Sequence, residues 1–206
     1  MKTIVHEIPY SPASNLDEEI FTASSVFFDI ETTGFSPAHT SLYLIGCAYH
    51  IEQMLYIKQF FAETPEEEKE VLEQFLLLLD GFDTIITFNG IGFDIPYLKA
   101  KCNTYECNEH FADFTYVDIF KSISQIKHIL QLPNYKQKTI EAFLGIVRDD
   151  LYSGGELIEI YHSYTKEPRP DKLEILLLHN YEDVLDMPAL LPVLSYVHLF
   201  YGQYLS

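Results

Sequence analysis

The chain has 206 residues, 48% of them hydrophobic, with 15 Phe and 15 Tyr, enough to bury the core of a single compact unit. Its 13 basic against 31 acidic residues give a formal charge of -18, which excludes indiscriminate attraction to nucleic acid or anionic membrane, so a polyanionic ligand must be met locally or through cations. Cys47, Cys102 and Cys107 are odd in number and too few for a disulfide framework, so a reduced, cytoplasmic setting is expected, and Cys102-x4-Cys107 with His110 lacks a fourth ligand for zinc.

Residues 1–24 lack the basic start and apolar block of a signal peptide, because Glu7 and Asp17-Glu18-Glu19 interrupt them. They read as an extension packed on a domain that occupies 25–206. Ser25 to Ile30, Ser41 to Tyr49 and Met54 to Phe61 are short apolar and aromatic runs bounded by Gly, Pro and polar residues, hence three strands, close enough to be antiparallel neighbours. Thr64-Pro65-Glu66-Glu67 opens a helix with Val71, Leu72, Phe75, Leu76 and Leu79 on one face. Thr84 to Phe88 returns as a buried strand, Asn89-Gly90 breaks it, and a second helix carries Tyr97, Leu98 and Cys102. That order demands a parallel crossover, and Tyr116 to Phe120 is the fifth strand.

From Ile119 the pattern is helical, broken at Leu132-Pro133-Asn134 and at Ser153-Gly154-Gly155. Pro188 to Leu205 is apolar but contains Pro192, His198 and Gln203, and does not read as a membrane span. The expected fold is α/β, with a mixed sheet of about five strands, three antiparallel and then parallel, and helices on both faces.

Asp29 and Glu31 lie two apart in a strand, so both point to one face while Phe28 and Ile30 point to the other. Thr32-Thr33-Gly34 ends that strand, which puts the pair where ligands of α/β sheets bind; a solvated strand end is the plain alternative. Asp94 follows a Gly-containing turn and opens a helix, where capping is an ordinary role for Asp. At 100° per residue Asp183 falls on an inward stripe with Leu176, Val184 and Met187, His179 stands one turn earlier, and Glu182 and Tyr181 face away. A His-Asp pair bonded in the core is the alternative there.

No Lys or Arg near these acids in sequence is placed to neutralise them, and a shared metal site is the simplest remedy. Hard oxygen ligands suit Mg²⁺ or Mn²⁺, and four carboxylates can hold two such ions roughly 4 Å apart, the arrangement used for in-line attack at phosphorus. His179 would accept or orient the proton of the attacking water.

The stretch from Ile119 to Ile140 holds Lys121, Lys127, Lys136 and Lys138, with His128 and Tyr135 and no acid, so it can contact phosphates and stack on a base, or merely solubilise a helix and loop. Four lysines imply weak, salt-sensitive binding of a short single strand. A basic protein partner is the other kind of ligand that the acidic surface suits.

Asp29-Ile30-Glu31-Thr32-Thr33-Gly34, Asn89-Gly90 to Phe93-Asp94 with Pro96-Tyr97-Leu98, and His179-Asn180-x-x-Asp183-Val184 occur in the order and separation of three exonuclease motifs. Through them the sequence resembles the DEDD superfamily of 3'-5' exonucleases with a ribonuclease H-like fold, most closely its YprB-type branch, over roughly residues 25–195. The resemblance implies that Asp29, Glu31, Asp94 and Asp183 are metal ligands, that Thr32, Asn89 and Phe93 face the substrate, and that DNA or RNA is trimmed from a single-stranded 3' end. Asp118, in Tyr116-Val117-Asp118-Ile119-Phe120, reads as a supporting or helix-start residue.

One departure concerns the proton acceptor. Better-known branches place Tyr four, or His five, positions before the last Asp; here His179 stands four before Asp183, and Leu178 is inert. Tyr181 with Asp186 is an out-of-register alternative, with Asp186 off the inward stripe. A non-catalytic binding module and a structure-specific endonuclease are the competing functions on such a fold.

Overall fold

The computed structural model describes residues 1–12 and 15–201, so Gln203 and Leu205 at the end of the apolar C-terminal stretch lie outside the described residues. Among the described residues no helix is long and apolar enough to cross a membrane. Strand β1 spans Lys2–Pro9, followed by helix α1 (Asn15–Ile20), β2 (Ser25–Thr32), β3 (Leu42–Ile51), β4 (Met54–Phe61), α2 (Glu68–Leu79), β5 (Thr84–Thr87), α3 (Asp94–Tyr105) and β6 (Thr115–Asp118). Helices α4 (Ile119–Ser124), α5 (Lys127–Leu130), α6 (Gln137–Phe143), α7 (Gly154–Lys166), α8 (Pro170–Leu190) and α9 (Leu194–Tyr201) complete the chain.

The six strands form one sheet in the order β1-β4-β3-β2-β5-β6. β2, β3, β4 and β1 pair antiparallel, whereas β5 and β6 join β2 in parallel, as expected where a helix intervenes between strands. The sheet has one strand more than the sequence suggested. β1 pairs along β4 from Lys2 opposite Phe61 to Pro9 opposite Met54, and its side chains are largely half-buried or exposed, so it lacks the apolar run that marks the inner strands.

Alternation on β2 divides the core. Phe28 and Ile30 pack with Val71, Phe75 and Leu98 from α2 and α3, while Phe27 packs with Ile57, Val184 and Met187 on the side of α8. Asp29 and Glu31 share the face of Phe27 and therefore look toward α8. Farther along, Tyr43 and Phe61 pack with Tyr161 and Tyr164 of α7; Tyr43 and Tyr161 stack with ring centroids 4.2 Å apart.

A buried ion pair ties the other layer together. Glu68 of α2 accepts from the Leu42 amide and, at 2.6 Å, from the Tyr105 hydroxyl, and it lies 2.8 Å from the Lys101 ammonium of α3. The buried Glu68 side chain is thus matched by one cation and two hydrogen-bond donors.

α8 meets the sheet at Gly46 of β3, which stands opposite Asp29. A Cβ on Gly46 would come within 2.1 Å of the Asn180 side-chain oxygen, so the missing methyl group is what lets α8 lie against β2 and β3. Gly46→Ala is expected to cost about 1–3 kcal/mol by overpacking, read as a lower urea midpoint. Gly81→Ala, whose Cβ would meet no atom closer than 3.6 Å, is the matched control and should stay near wild type.

Candidate active site

Asp29 is held by neutral amides. Asn180 Nδ2 donates to the Asp29 carboxylate at 3.2 Å and to its carbonyl at 3.4 Å, while Gln59 Nε2 donates to Asn180 Oδ1 at 3.0 Å and to the Leu177 carbonyl at 2.9 Å. The amide chain fixes the distance between β2 and α8 without adding charge. Glu31 follows at the strand end, where the pairing register with β3 shifts between Glu31 and Thr32.

Asp94 arrives from the opposite side of β2. Asn89 leaves β5 with φ 67°, and a Cβ on Gly90 would fall 2.6 Å from Thr87, so the turn needs both an Asn-type left-handed residue and a glycine. Asp118 organises this turn: its carboxylate accepts from the amides of Asn89 (3.0 Å), Ile91 (3.2 Å) and Lys121 (3.0 Å), capping α4 at the same time. Asp94 itself is the first residue of α3, the N-cap position belongs to Phe93, and no side-chain cap bond is made there. The Asp94 carboxyl instead meets its own amide in the first turn of α3 and the backbone of Ile30 on β2, which ties the helix start to the strand.

α8 supplies His179 and Asp183. His179 Nε2 lies 3.6 Å from Glu31 Oε1 and 3.3 Å from Asp183 Oδ2, and its Nδ1 is 2.6 Å from Asp150 Oδ2. Glu31, His179 and Asp183 each offer a ligand atom within 4.8 Å of the others. Asp29 and Asp94 lie outside that tight trio but share its electrostatic field.

Burial is the largest influence on the acids. Burial pushes the Asp29 and Glu31 carboxyls well up, the nearby charges of Asp183 and Asp94 add to it, and Glu31 also repels Asp29. Burial raises Asp94 to about 7, with Asp118 adding and backbone amides opposing. Such a cluster gains most from a cation, and its hard oxygens beside one imidazole fit a divalent metal ion.

The structure overturns two expectations about charge. The acids do have a basic neighbour: Arg148 Nη1 meets Asp183 Oδ1 at 2.5 Å and Glu141 at 3.2 Å, Nη2 donates to the His179 carbonyl at 3.1 Å, and Nε lies 3.3 Å from Glu182. Its pKa is raised because the attraction of Asp183 and Glu141 outweighs burial. Glu182 also does not face away. It is buried, and it accepts from the amides of Asp149 (2.8 Å) and Asp150 (2.9 Å). The loop between α6 and α7 folds over α8, which a helical wheel of α8 alone cannot register.

The remaining candidates separate into two places. Thr32 and Phe93 join Glu31, Phe35 and the α7 residues Gly154 and Gly155 around a cavity of about 280 Å³; the Phe35 side chain is 89% exposed and meets Phe93 edge-on at 5.8 Å. Asn89, Lys127 and Lys136 line another cavity of about 530 Å³ with Phe88, Phe120 and Tyr135. Lys127 sits over the Phe120 and Tyr135 rings at 4.6 and 4.9 Å. Gln137 connects that wall to the acids by donating to the Asp183 carbonyl at 2.7 Å. Lys121 is exposed on α4, whereas Lys138 turns to Asp150 at 2.6 Å and to the Tyr152 carbonyl at 2.8 Å. Tyr181 packs on His6 of β1, outside the acidic cluster. Arg169 pairs with Asp171 at the exposed start of α8.

Comparisons with known proteins agree with this architecture. The chain is 29% identical over 177 residues to the uncharacterized protein YprB of Bacillus subtilis (strain 168), covering 84% of this chain and 41% of YprB. A 43-residue stretch is 42% identical to a DNA polymerase of Methanocaldococcus jannaschii, covering 21% of this chain and 3% of the polymerase. Among solved structures, the family B DNA polymerase of the hyperthermophilic archaeon Pyrobaculum calidifontis superposes with a TM-score of 0.63 at 18% identity, covering 85% of this chain and 24% of that one. A structure described as the apo form of the nuclease superposes at 0.53 and 17% identity, covering 93% of this chain and 80% of that one. These two likenesses show a shared fold, and the chain spans less than half the length of YprB. The RNase_H superfamily model matches residues 26–195, and the chain belongs to that superfamily.

Proposed function

We propose that this domain is a metal-dependent 3'-5' exonuclease that hydrolyses phosphodiester bonds at single-stranded DNA or RNA 3' ends. The observation that carries the reading is the acidic cluster of Asp29, Glu31, Asp94 and Asp183, in which Glu31 and Asp183 meet the His179 imidazole and burial raises Asp29, Glu31 and Asp94, with neighbouring carboxylates adding to it. The four carboxylates would hold two Mg²⁺ or Mn²⁺ ions. Bound there, such ions supply charge neutralisation and polarise the attacking water and the leaving 3'-oxygen.

The chain's own groups then divide the work. His179 Nε2 faces the acids and accepts the water's proton. Asn180 keeps Asp29 in place, and Asp118 keeps the Asn89–Phe93 turn in place. Thr32, Phe93 and Phe35 bound a slot beside Glu31 suited to the terminal nucleotide. Asn89, Lys127 and Lys136 border the second cavity, where a preceding nucleotide can rest on aromatic rings and a cation. Lys138 is spoken for by Asp150 and contributes there instead.

Purified protein with Mn²⁺ is expected to shorten 5'-labelled single-stranded oligonucleotides stepwise, and Asp29→Asn to lower the rate by about 100-fold or more. Circular single-stranded DNA should survive; its cleavage would favour an endonuclease, and loss of both activities would leave a binding module.

The raised carboxyl pKa values set a second expectation. A carboxyl whose folded pKa lies above its unfolded one contributes stability at low pH that is lost as pH rises through the folded value. Without metal, the protein should therefore melt at a lower temperature at pH 8 than at pH 6, the loss from Asp94 running from the ordinary carboxyl range up to about 7 and levelling off above it. Asp94→Asn should raise the metal-free Tm at pH 8, by about 2–4 °C per kcal/mol gained. Mn²⁺ affinity should run the other way, strengthening as pH rises toward and past 7, because binding displaces those protons. Calorimetric titration at pH 6 and 8 checks it.

A further inference from the structure

His179 is held from behind by a residue outside all three motifs. Asp150 is buried in the loop between α6 and α7, and its Oδ2 lies 2.6 Å from His179 Nδ1. The same oxygen accepts from Lys138 Nζ at 2.6 Å, and Oδ1 accepts from the Tyr152 amide at 3.0 Å. The Asp150 backbone is fastened as well, since its amide donates to Glu182 at 2.9 Å, one helical turn beyond His179 on α8. A carboxylate engaged by a cation and an amide in this way accepts, and its partner nitrogen must donate.

We infer that Asp150 is a positioning residue that places the proton of His179 on Nδ1 and leaves Nε2 as the acceptor facing Glu31 and Asp183. The proton on Nδ1 follows from the hydrogen bond to Asp150; that Nε2, 3.3 Å from Asp183 and 3.6 Å from Glu31, is left bare rests on the exonuclease reading, in which those acids hold metal ions. It also accounts for the departure in register. Leu178, five positions before Asp183, lines an apolar cavity with Ile4, His6 and Leu173 on the β1 side of α8, so residue 179 is the one that faces the acids. A histidine one position along the helix presents its ring at a different angle, and Asp150 with Lys138 fixes that angle from outside the helix. The order nucleophile activator, imidazole, carboxylate orienter is a general solution to this problem.

Two measurements test the assignment. The full chain, labelled with ¹⁵N-histidine and held in Mg²⁺ at pH 8, should give a long-range ¹⁵N–¹H spectrum in which His179, identified by His179→Gln, is protonated at Nδ1 and bare at Nε2. A neutral ring protonated at Nε2 in the wild-type protein would overturn the inference without reference to any variant. Asp150→Asn should shift the proton toward Nε2 and lower kcat on a single-stranded oligonucleotide by about 100-fold, with KM within about twofold. Unchanged kcat and an unchanged tautomer in a folded Asp150→Asn protein would also overturn it. If the wild-type chain shortens no oligonucleotide, the exonuclease reading falls, while the wild-type spectrum still decides the role of Asp150.

Discussion

The C-terminal half of the site depends on one buried cation. The Arg148 side chain is only 7% exposed and lies among Glu141, Glu182, Asp183 and the His179 carbonyl, with Asp150 at 3.7 Å. Without it those carboxylates would face each other across a space that water barely enters. Removing one partner of a buried pair leaves an uncompensated charge worth about 3–5 kcal/mol. Arg148 thus offsets the acids that α6, the loop after it and α8 bring together, and α8 in that position carries His179 and Asp183 to β2.

For Asp29, Glu31 and Asp183 the spacing within a regular element revealed their direction, whereas for Glu182 on the same helix as Asp183 it did not. The two-residue step from Asp29 to Glu31 placed both on the α8 side of β2, and the stripe through Leu176, Val184 and Met187 gave Asp183 its inward aim. The Asn89-Gly90 turn was readable because only certain residues accept its backbone, and φ 67° at Asn89 bears that out. Arg148 and Asp150 were not readable. They lie in a loop with no periodicity, where side-chain direction is set by partners 35 and 29 positions away. Lys138 shows the same limit: its charge was legible, but its partner, the buried Asp150 at 2.6 Å, was not.

The fold was legible in its central strands and poorly legible at its edge. β2, β3 and β4 carry residues buried on both faces and announce themselves as apolar runs. β1 borrows its order from β4 through backbone hydrogen bonds, which leave little trace in side-chain composition.

α8 is fastened to the rest of the domain in two unlike ways. On one side the Arg148 cluster binds through charge; on the other, Asn180 seats in the notch above Gly46 through neutral amides and shape. The first depends on the charge state of its acids, although its burial shields it from salt, whereas the second rests on shape and amide hydrogen bonds. Because Val184 and Met187 stay packed beside Phe27 and Asn180 stays seated over Gly46, loss of the charged contacts on one side leaves α8 anchored on the other, with Asn180 still bonded to Asp29.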